Sequence, residues 1–234
     1  EAAGGSAATA ITTAIVVEAG GNVPLIRNSG SITAKAGGDN GTARGIVDLS
    51  GTVTTIENSG TISATGALAT SDRNIAIDLS ANNAGTTVKQ TAVAAGIAAP
   101  SIVGDVRFGG GNDVFDIADG SVKGNSFFGA GNNRLALSGD ATYAGTARFG
   151  GGNDTLALSG SSVFTGTADF GGGIDALTIA GTSVFSGKLL NAQGLSVSVD
   201  GGVFDVTGAT NISSLAVTNK GAVAVLLDNG ATGT

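Results

Sequence analysis

The chain has 234 residues, of which 41 are glycine and only two are proline, and 41% are hydrophobic, which excludes collagen and is sufficient for a hydrophobic core. The formal net charge is −7 with 11 lysine and arginine residues and no basic run, which argues against a nucleic-acid partner. Cysteine and histidine are absent, which excludes disulfides, thiolate chemistry and histidine-ligated zinc.

The first part of the chain contains a repeat with a period of about 30 residues. The segment 26–34 (IRNSGSITA) recurs as 56–64 (IENSGTISA), and 47–50 (VDLS) recurs as 77–80 (IDLS). Apolar and polar residues alternate within each unit, which predicts short, half-buried strands. The Asn-Ser-Gly tripeptides between these runs are typical of turns, because asparagine and glycine accept positive φ. We therefore expect coils of strands that begin near Ala10, and no helix.

Residues 81–101 fit neither this repeat nor the shorter one that follows it. We interpret them as a degenerate coil with a protruding loop that joins the two parts of one continuous solenoid. The first part, 1–101, has the period of about 30 residues, and the second part, 102–234, has a period of roughly 20–21 residues.

The shorter period is set by a glycine-rich block. Segments that begin at Phe108, Phe128, Phe149 and Phe170 read FGGGNDVFDI, FGAGNNRLAL, FGGGNDTLAL and FGGGIDALTI. A fixed period of this length is typical of a solenoid, in which like residues of successive coils stack in columns. The four predicted columns are Phe108, Phe128, Phe149, Phe170 and Leu190; Phe115, Leu135, Leu156, Leu177, Val197 and Val217; Ile117, Leu137, Leu158, Ile179, Val199 and Asn219; and Val122, Tyr143, Phe164, Phe185 and Val206.

These patterns predict an all-β fold, a parallel β-solenoid of about ten coils with a roughly triangular cross-section. Three short strands and their glycine-containing corners account for about 20 residues per coil. Stacked side chains ~4.8 Å apart would fill the interior. The general preference for right-handed crossovers predicts a right-handed solenoid. Its exposed faces would carry Thr, Ser, Asn and Ala, a flat surface better suited to weak multivalent contact than to a small-molecule pocket.

The Gly-Gly-Gly-Asn-Asp corners resemble part of the calcium-binding nonapeptide of RTX proteins. That resemblance implies Ca²⁺ ligands at Asp113, Asp154 and Asp175, although these corners recur only once per coil. Asp154 and Asp175 would stack ~4.8 Å apart, and like charges so close are costly unless they are solvated, protonated or bridged by a cation. The alternative, without any cofactor, is an Asx ladder whose side chains bond backbone N–H groups of adjacent coils.

Enzymatic activity has one set of candidate residues. Carboxylates alone could serve a glycosidase, and Asp105, Asp113, Asp116 and Asp119 lie close together in sequence near the first short coil. Clustered aspartates on a solenoid are also typical of a solvated face. A serine protease triad is excluded because no histidine is present. We therefore expect no enzyme, with a polysaccharide-acting β-helix enzyme as the lesser alternative.

The aromatic column that contains Tyr143, Phe164 and Phe185 has two interpretations. These rings could line a sugar-binding face. Their position two residues before a glycine at a coil corner favours an interior stack instead.

The IxNSGxIxA and FGGGNDTLxLxG repeats resemble the passenger regions of bacterial autotransporters, the type V secreted proteins of Gram-negative bacteria. The resemblance covers roughly residues 10–230. It implies a right-handed parallel β-helix outside the cell, which follows an export signal and precedes a C-terminal outer-membrane barrel of the same precursor. Neither is present in this sequence, and we expect the native chain to continue at both ends.

The resemblance carries over no catalytic motif. It implies a secreted or surface-displayed segment that acts as a structural stalk or adhesin in attachment or cell–cell association. Expected partners are further copies of the chain and glycans of a host or biofilm surface. A calcium-binding, RTX-like secreted module is the alternative function.

Overall fold

The computed structural model describes residues 2–3, 10–208 and 211–225 of the chain. Their regular structure consists of β-strands alone, arranged in a 15-stranded and a 9-stranded sheet whose paired strands are parallel. This arrangement is a parallel β-solenoid, which confirms the predicted fold class. None of the described residues forms a helix long and apolar enough to cross a membrane.

Each coil contributes short strands that stack on the equivalent strands of the coils before and after it. The strands, in chain order, are β1 (Ala2–Ala3), β2 (Ile11–Val17), β3 (Leu25–Asn28), β4 (Ser31–Lys35), β5 (Thr42–Asp48), β6 (Thr55–Asn58), β7 (Thr61–Thr65), β8 (Asn74–Asp78), β9 (Thr87–Gln90), β10 (Ser101–Val103), β11 (Asp105–Arg107), β12 (Val114–Ile117), β13 (Ser121–Lys123), β14 (Ser126–Phe127), β15 (Arg134–Leu137), β16 (Thr142–Arg148), β17 (Thr155–Leu158), β18 (Val163–Asp169), β19 (Ala176–Ala180), β20 (Val184–Leu190), β21 (Ser196–Asp200), β22 (Val203–Val206), β23 (Ser214–Thr218) and β24 (Ala222–Val225).

The strands form three ladders. The first ladder is the 9-stranded sheet, which contains β3, β6, β9, β12, β15, β17, β19, β21 and β23. The second ladder begins with β1, β4, β7, β10 and β13, and the third with β2, β5, β8, β11 and β14. The second and third ladders share one sheet because β16 pairs with both β13 and β14. From β16 to β20 each coil therefore has one long bent strand where the earlier coils have two short ones.

The interior is filled by columns of apolar side chains. In β12 and β17 the second and fourth residues are buried, because successive side chains of a strand point to opposite faces. Phenylalanine rings stack at the corners that follow the third ladder, with ring centroids 4.7 Å apart between Phe108 and Phe128 and 4.9 Å apart between Phe128 and Phe149. These spacings match the distance between neighbouring strands.

The register of the first ladder confirms its two predicted columns except in the last coil. There Val197 pairs with Leu215 and Val199 pairs with Val217, so the predicted positions of Val217 and Asn219 are wrong. The cause is that the last coil is shorter than the one before it. Repeating the spacing between Leu177 and Val197 once more leads to Val217, whereas the residue that pairs with Val197 is Leu215.

The two other predicted columns also end differently from the prediction. Phe185 pairs with Phe204, and Val206 lies beside a glycine instead. Leu190 pairs with Asp169 and is 48% exposed, so it does not continue the interior phenylalanine column. Here too the coil that leads from Phe185 to Phe204 is shorter than the preceding one, which leads from Phe164 to Phe185.

The change of period has a structural cause at the corner between the second and third ladders. That corner comprises residues 36–41 between β4 and β5 and residues 66–73 between β7 and β8. Between β10 and β11 it is reduced to Gly104, which has φ of 116°. A glycine accepts this conformation without the steric cost that a Cβ would add.

The junction segment 81–101 continues the solenoid. It contains β9, which pairs with β6 on one side and with β12 on the other. The connection from β9 to β10 is an exposed loop in which Ile97 is 63% exposed. The segment therefore comprises one strand of the first ladder and an exposed loop.

A ladder of buried amides lies at the end of the first three described strands of the first ladder. The side-chain amide of Asn28 donates to Asn58 Oδ1 at 2.8 Å, and Asn58 Nδ2 lies 3.4 Å from Gln90 Oε1. Asn58 Nδ2 also donates to the Gly60 carbonyl at 3.0 Å. The amides thus satisfy backbone groups of the turns and fix one coil on the next.

Replacing Asn58 with alanine is expected to destabilise the solenoid by about 1–3 kcal/mol, because it removes the buried hydrogen bonds that Asn58 makes with the Asn28 and Gln90 side chains and with the backbone of its turn. Urea denaturation followed by circular dichroism measures the change. Ser29→Ala, at an exposed position of the equivalent turn, is the control and should shift stability by less than about 0.5 kcal/mol. Equal effects of the two variants would contradict a stabilising role for the amide ladder.

Candidate functional site

Four glycine-rich corners, residues 108–113, 128–133, 149–154 and 170–175, lie between the third and the first ladder. They stack directly on one another. A Cβ added to Gly129 would overlap the carbonyl oxygen of Gly109, and one added to Gly150 would overlap that of Gly129. Glycine at these positions therefore permits close approach of two backbones.

The last residue of each corner forms a column that we call the inner Asx column: Asp113, Asn133, Asp154 and Asp175. Each Oδ1 accepts a hydrogen bond from a backbone N–H of the preceding coil. The N–H of Asp113 donates to Asn133 at 3.0 Å, that of Asn133 to Asp154 at 2.7 Å, and that of Asp154 to Asp175 at 2.8 Å. The predicted Asx ladder is thus confirmed.

One residue earlier lies a second column, the outer Asn column, formed by Asn112, Asn132 and Asn153. Here the direction is reversed, because the N–H of Asn132 donates to Asn112 Oδ1 at 2.8 Å and that of Asn153 to Asn132 Oδ1 at 2.7 Å. The column ends at Ile174, whose N–H donates to Asn153 and whose side chain is 74% exposed. Two antiparallel rows of side-chain acceptors therefore join the corners.

The three aspartates of the inner Asx column are buried, with exposed fractions of 0%, 1% and 2% for Asp113, Asp154 and Asp175. Their Oδ2 atoms are buried and have no hydrogen-bond partner. Burial raises the pKa of all three carboxyls, against the lowering effect of the hydrogen bonds that they accept. The charge of Asp175 raises the pKa of Asp154 further.

The predicted Ca²⁺ ligands therefore lie in one column, but not side by side. Asp154 and Asp175 are neighbours, whereas Asn133 separates Asp113 from Asp154. Ca²⁺ takes six to eight oxygen ligands, and over the described part of the chain no group of three or more acidic, histidine or cysteine side chains is placed to hold a metal. The calcium site stays a prediction.

The four aspartates considered for catalysis lie at different positions around the coil. Asp105 is buried in β11 and accepts from the N–H of Asn125 at 2.9 Å, and burial raises its pKa. Asp113 lies in the inner Asx column. Asp116 points outward from β12, and Asp119 accepts from a loop N–H at 3.0 Å in the turn that follows. These positions form no common cleft, and the expectation that the chain is not an enzyme stays a prediction.

The aromatic column on the second ladder lies inside the solenoid. Tyr143 is 1% exposed, and Phe164 and Phe185 are fully buried. The interpretation as a sugar-binding face is therefore wrong, and the interior stack is confirmed. The Tyr143 hydroxyl lies 3.1 Å from Ser126 Oγ and 3.0 Å from the Thr146 carbonyl oxygen. Burial raises the pKa of this phenol.

The exposed faces carry polar rows that depend on the register between coils. On the first ladder the outward residues Arg27, Glu57, Lys89 and Asp116 are paired in succession and alternate in charge; we call them the charge column. The Arg27 and Glu57 side chains form an ion pair at 2.6 Å. The sequence indicates this row through the alternating charges of these residues, provided that the strands are first aligned in register.

On the second ladder the outward residues form a hydroxyl column: Ser31, Thr61, Ser101, Ser121 and Thr142. Ser101 Oγ lies 3.2 Å from Thr61 Oγ1. Because these residues come from coils of both periods, no single repeat of the sequence indicates the whole row.

The third ladder carries an outward Phe127 between two arginines. The guanidinium carbons of Arg107 and Arg148 lie 5.9 Å and 5.8 Å from its ring centroid. Such cation–π contacts each contribute about 0.5–1 kcal/mol at exposed sites. Arg148 also lies 3.5 Å from the carboxylate of Asp169.

The depressions between these faces are shallow. One, of about 270 Å³, lies where the corner 66–73 overhangs the short corner at Gly104, and Lys123 lines it. Another, of about 220 Å³, lies beside Arg27 and Glu57. The long polar faces are therefore the larger candidate surface for binding.

Comparison with protein-family models, with curated proteins and with solved structures gives no match to this chain, so the proposed function rests on the residues and their geometry.

Proposed function

We propose that this chain is a passenger segment of an autotransporter-type protein, displayed on or released from the surface of a Gram-negative cell. Its role there is that of a structural stalk or adhesin in attachment and cell–cell association. The observation that carries the proposal is the stacking of outward polar side chains in register over many coils, above all in the hydroxyl column and the charge column.

Repetition along the axis supports an adhesive role. Hydroxyls and charges recur at the strand spacing of ~4.8 Å, so a polymeric partner such as a surface glycan would meet several equivalent groups at once. Each contact is weak, but contacts made together add through effective concentration. A second copy of the chain offers the same rows and would allow cell–cell association.

The filled interior supports a role as a stalk. Buried aliphatic and aromatic columns run through the described coils, and each coil contacts its neighbours through continuous ladders. Such a solenoid holds a distal part of a protein away from the cell by stacking alone.

Beads coated with the purified chain test the adhesive role. We expect these beads to aggregate and to be retained on glycan-coated surfaces. Retention should fall several-fold when three of the five hydroxyls of the hydroxyl column are removed by Ser101→Ala, Ser121→Ala and Thr142→Val together. The matched control is Thr178→Val with Ser198→Ala, which removes exposed hydroxyls from the first ladder.

Equal retention of both variants would contradict a specific role of the hydroxyl column. Beads that neither aggregate nor bind to any surface would overturn the adhesin proposal and leave the stalk. Cells that secrete the natural precursor test the stalk and the cellular location. Antibodies against the chain should label these cells while they are intact.

A further inference from the structure

Asn133 shows what surrounds the second polar atom of a side chain in the inner Asx column. Its Oδ1 accepts from the preceding coil, so its other side-chain atom is the amide nitrogen. That Nδ2 lies 3.1 Å from the carbonyl oxygen of Gly131 and 3.4 Å from that of Gly129. The environment of this atom is thus formed by hydrogen-bond acceptors of its own corner.

The three aspartates occupy the same place in equivalent corners. Their Oδ1 atoms accept the same type of hydrogen bond as Asn133 Oδ1. The corners stack glycine on glycine, as the pairs Gly131 over Gly111 and Gly173 over Gly152 illustrate. By this equivalence we infer that each aspartate Oδ2 takes the position of Asn133 Nδ2, next to the glycine carbonyls of its own corner.

An ionised carboxylate does not suit this position. A carboxylate can only accept hydrogen bonds, and a carbonyl oxygen donates none. The Oδ2 atoms of Asp113, Asp154 and Asp175 are buried and have no donor in reach. A buried, unpaired charge is expensive, whereas a carboxylic acid has one O–H to donate.

We propose that Asp113, Asp154 and Asp175 are neutral carboxylic acids in the folded solenoid at neutral pH, each donating its Oδ2–H to a glycine carbonyl of its own corner as the Asn133 amide does. The column is then a proton-binding ladder. This inference goes beyond the proposed function and does not depend on it.

The charges around the column agree with this assignment. Asp175 raises the pKa of Asp154, and no cation contributes to the shift of any of the three carboxyls; burial is the largest cause in each. Because the folded chain binds these protons more tightly than the unfolded chain, their contribution to stability is complete below the ordinary pKa of 3.8. It is lost as pH rises through the raised values.

The test compares the wild-type chain with the triple variant Asp113→Asn, Asp154→Asn and Asp175→Asn. Asparagine reproduces the donor of the neutral acid, so the variant should fold and have a higher urea midpoint than wild type at about pH 8. The difference should shrink towards about pH 3, where the free acids are largely protonated in both states. Carbon NMR of the aspartate carboxyls gives a direct readout, since three resonances of the wild type should remain those of the acid at neutral pH.

Two single variants serve as controls. Asn133→Asp adds a fourth acid to the column and should lower the urea midpoint mainly at high pH. Asp116→Asn, at an outward position of β12, should not reproduce the higher midpoint of the triple variant at about pH 8.

Three results would overturn the proposal. The first is carboxyl resonances of the ionised form at neutral pH. The second is a triple variant less stable than wild type at about pH 8. The third is a rise of the wild-type midpoint in millimolar Ca²⁺ that the triple variant lacks, because a cation would then occupy the place assigned to the protons.

Discussion

Substitution of Gly150 by alanine is expected to destabilise the solenoid by about 3 kcal/mol or more. A Cβ at this position would overlap the carbonyl oxygen of Gly129 in the preceding coil. No rotamer relieves a clash between a Cβ and a backbone atom, so the two corners would have to move apart and the hydrogen bonds of the inner Asx column would lengthen. Thermal melting and urea denaturation of the purified variant measure the effect.

The adjacent residue provides a matched control. A Cβ at Gly151 would have no heavy atom within 4 Å. The chain already has alanine at the equivalent position of the preceding corner, Ala130. Gly151→Ala should therefore change stability by less than about 1 kcal/mol. If both variants melted at the wild-type temperature, close stacking of the corners would not be what requires glycine.

Replacing Phe164 with alanine is expected to cost about 3–5 kcal/mol, because it opens a cavity in the middle of an interior column. The ring is fully buried and stacks on Tyr143 and Phe185, with centroid distances of 5.0 Å and 5.1 Å. Loss of the ring removes apolar burial and both stacking contacts. The urea midpoint should fall, and near-ultraviolet circular dichroism should report disturbed packing around Tyr143.

Phe127 provides the comparison on the outside of the same sheet. It is partly exposed and contacts two arginines across its faces. Phe127→Ala should cost about 1–2 kcal/mol, the sum of two exposed cation–π contacts. A loss as large as that of Phe164→Ala would contradict the assignment of Phe164 to the core and Phe127 to the surface.

The fold could be predicted from the sequence because its repeats carry the pattern of burial. The alternation in 155–158 (TLAL) and its copies places leucines inside, and the paired strands confirm this arrangement. The glycine-rich corners were also informative, since an Asx ladder follows from their residue types. Stacking then extends each local feature to the neighbouring coils.

The register could be predicted only where coil length is constant. The longer of the two periods aligns Val47 with Ile77, whereas Ile46 is the residue that pairs with Ile77, because the corner 66–73 accommodates an additional residue. The pairing of Leu215 with Val197 and of Phe204 with Phe185 departs from the period for the opposite reason, since their coils are short. A corner can gain or lose a residue without changing the alternation of the strands on either side of it.

The protonation state of the inner Asx column could not be predicted from the sequence. Asp154 and Asp175 could be predicted to stack, but their repulsion could be relieved by solvation, by protonation or by a bridging cation. The contacts of Asn133 with two carbonyl oxygens distinguish them, and these contacts depend on side-chain orientation. One natural asparagine in a column of acids thus reveals the environment of its neighbours.

The ladders also determine how the solenoid would respond to tension. Backbone hydrogen bonds join one coil to the next along the axis, so a pull on the terminal strand loads one coil at a time. Each released coil, such as the one that leads from Thr142 to Val163, would extend by about 70 Å where it had occupied about 5 Å. A tether of this kind would lengthen in steps under shear flow, absorbing the pull coil by coil before its attachment failed.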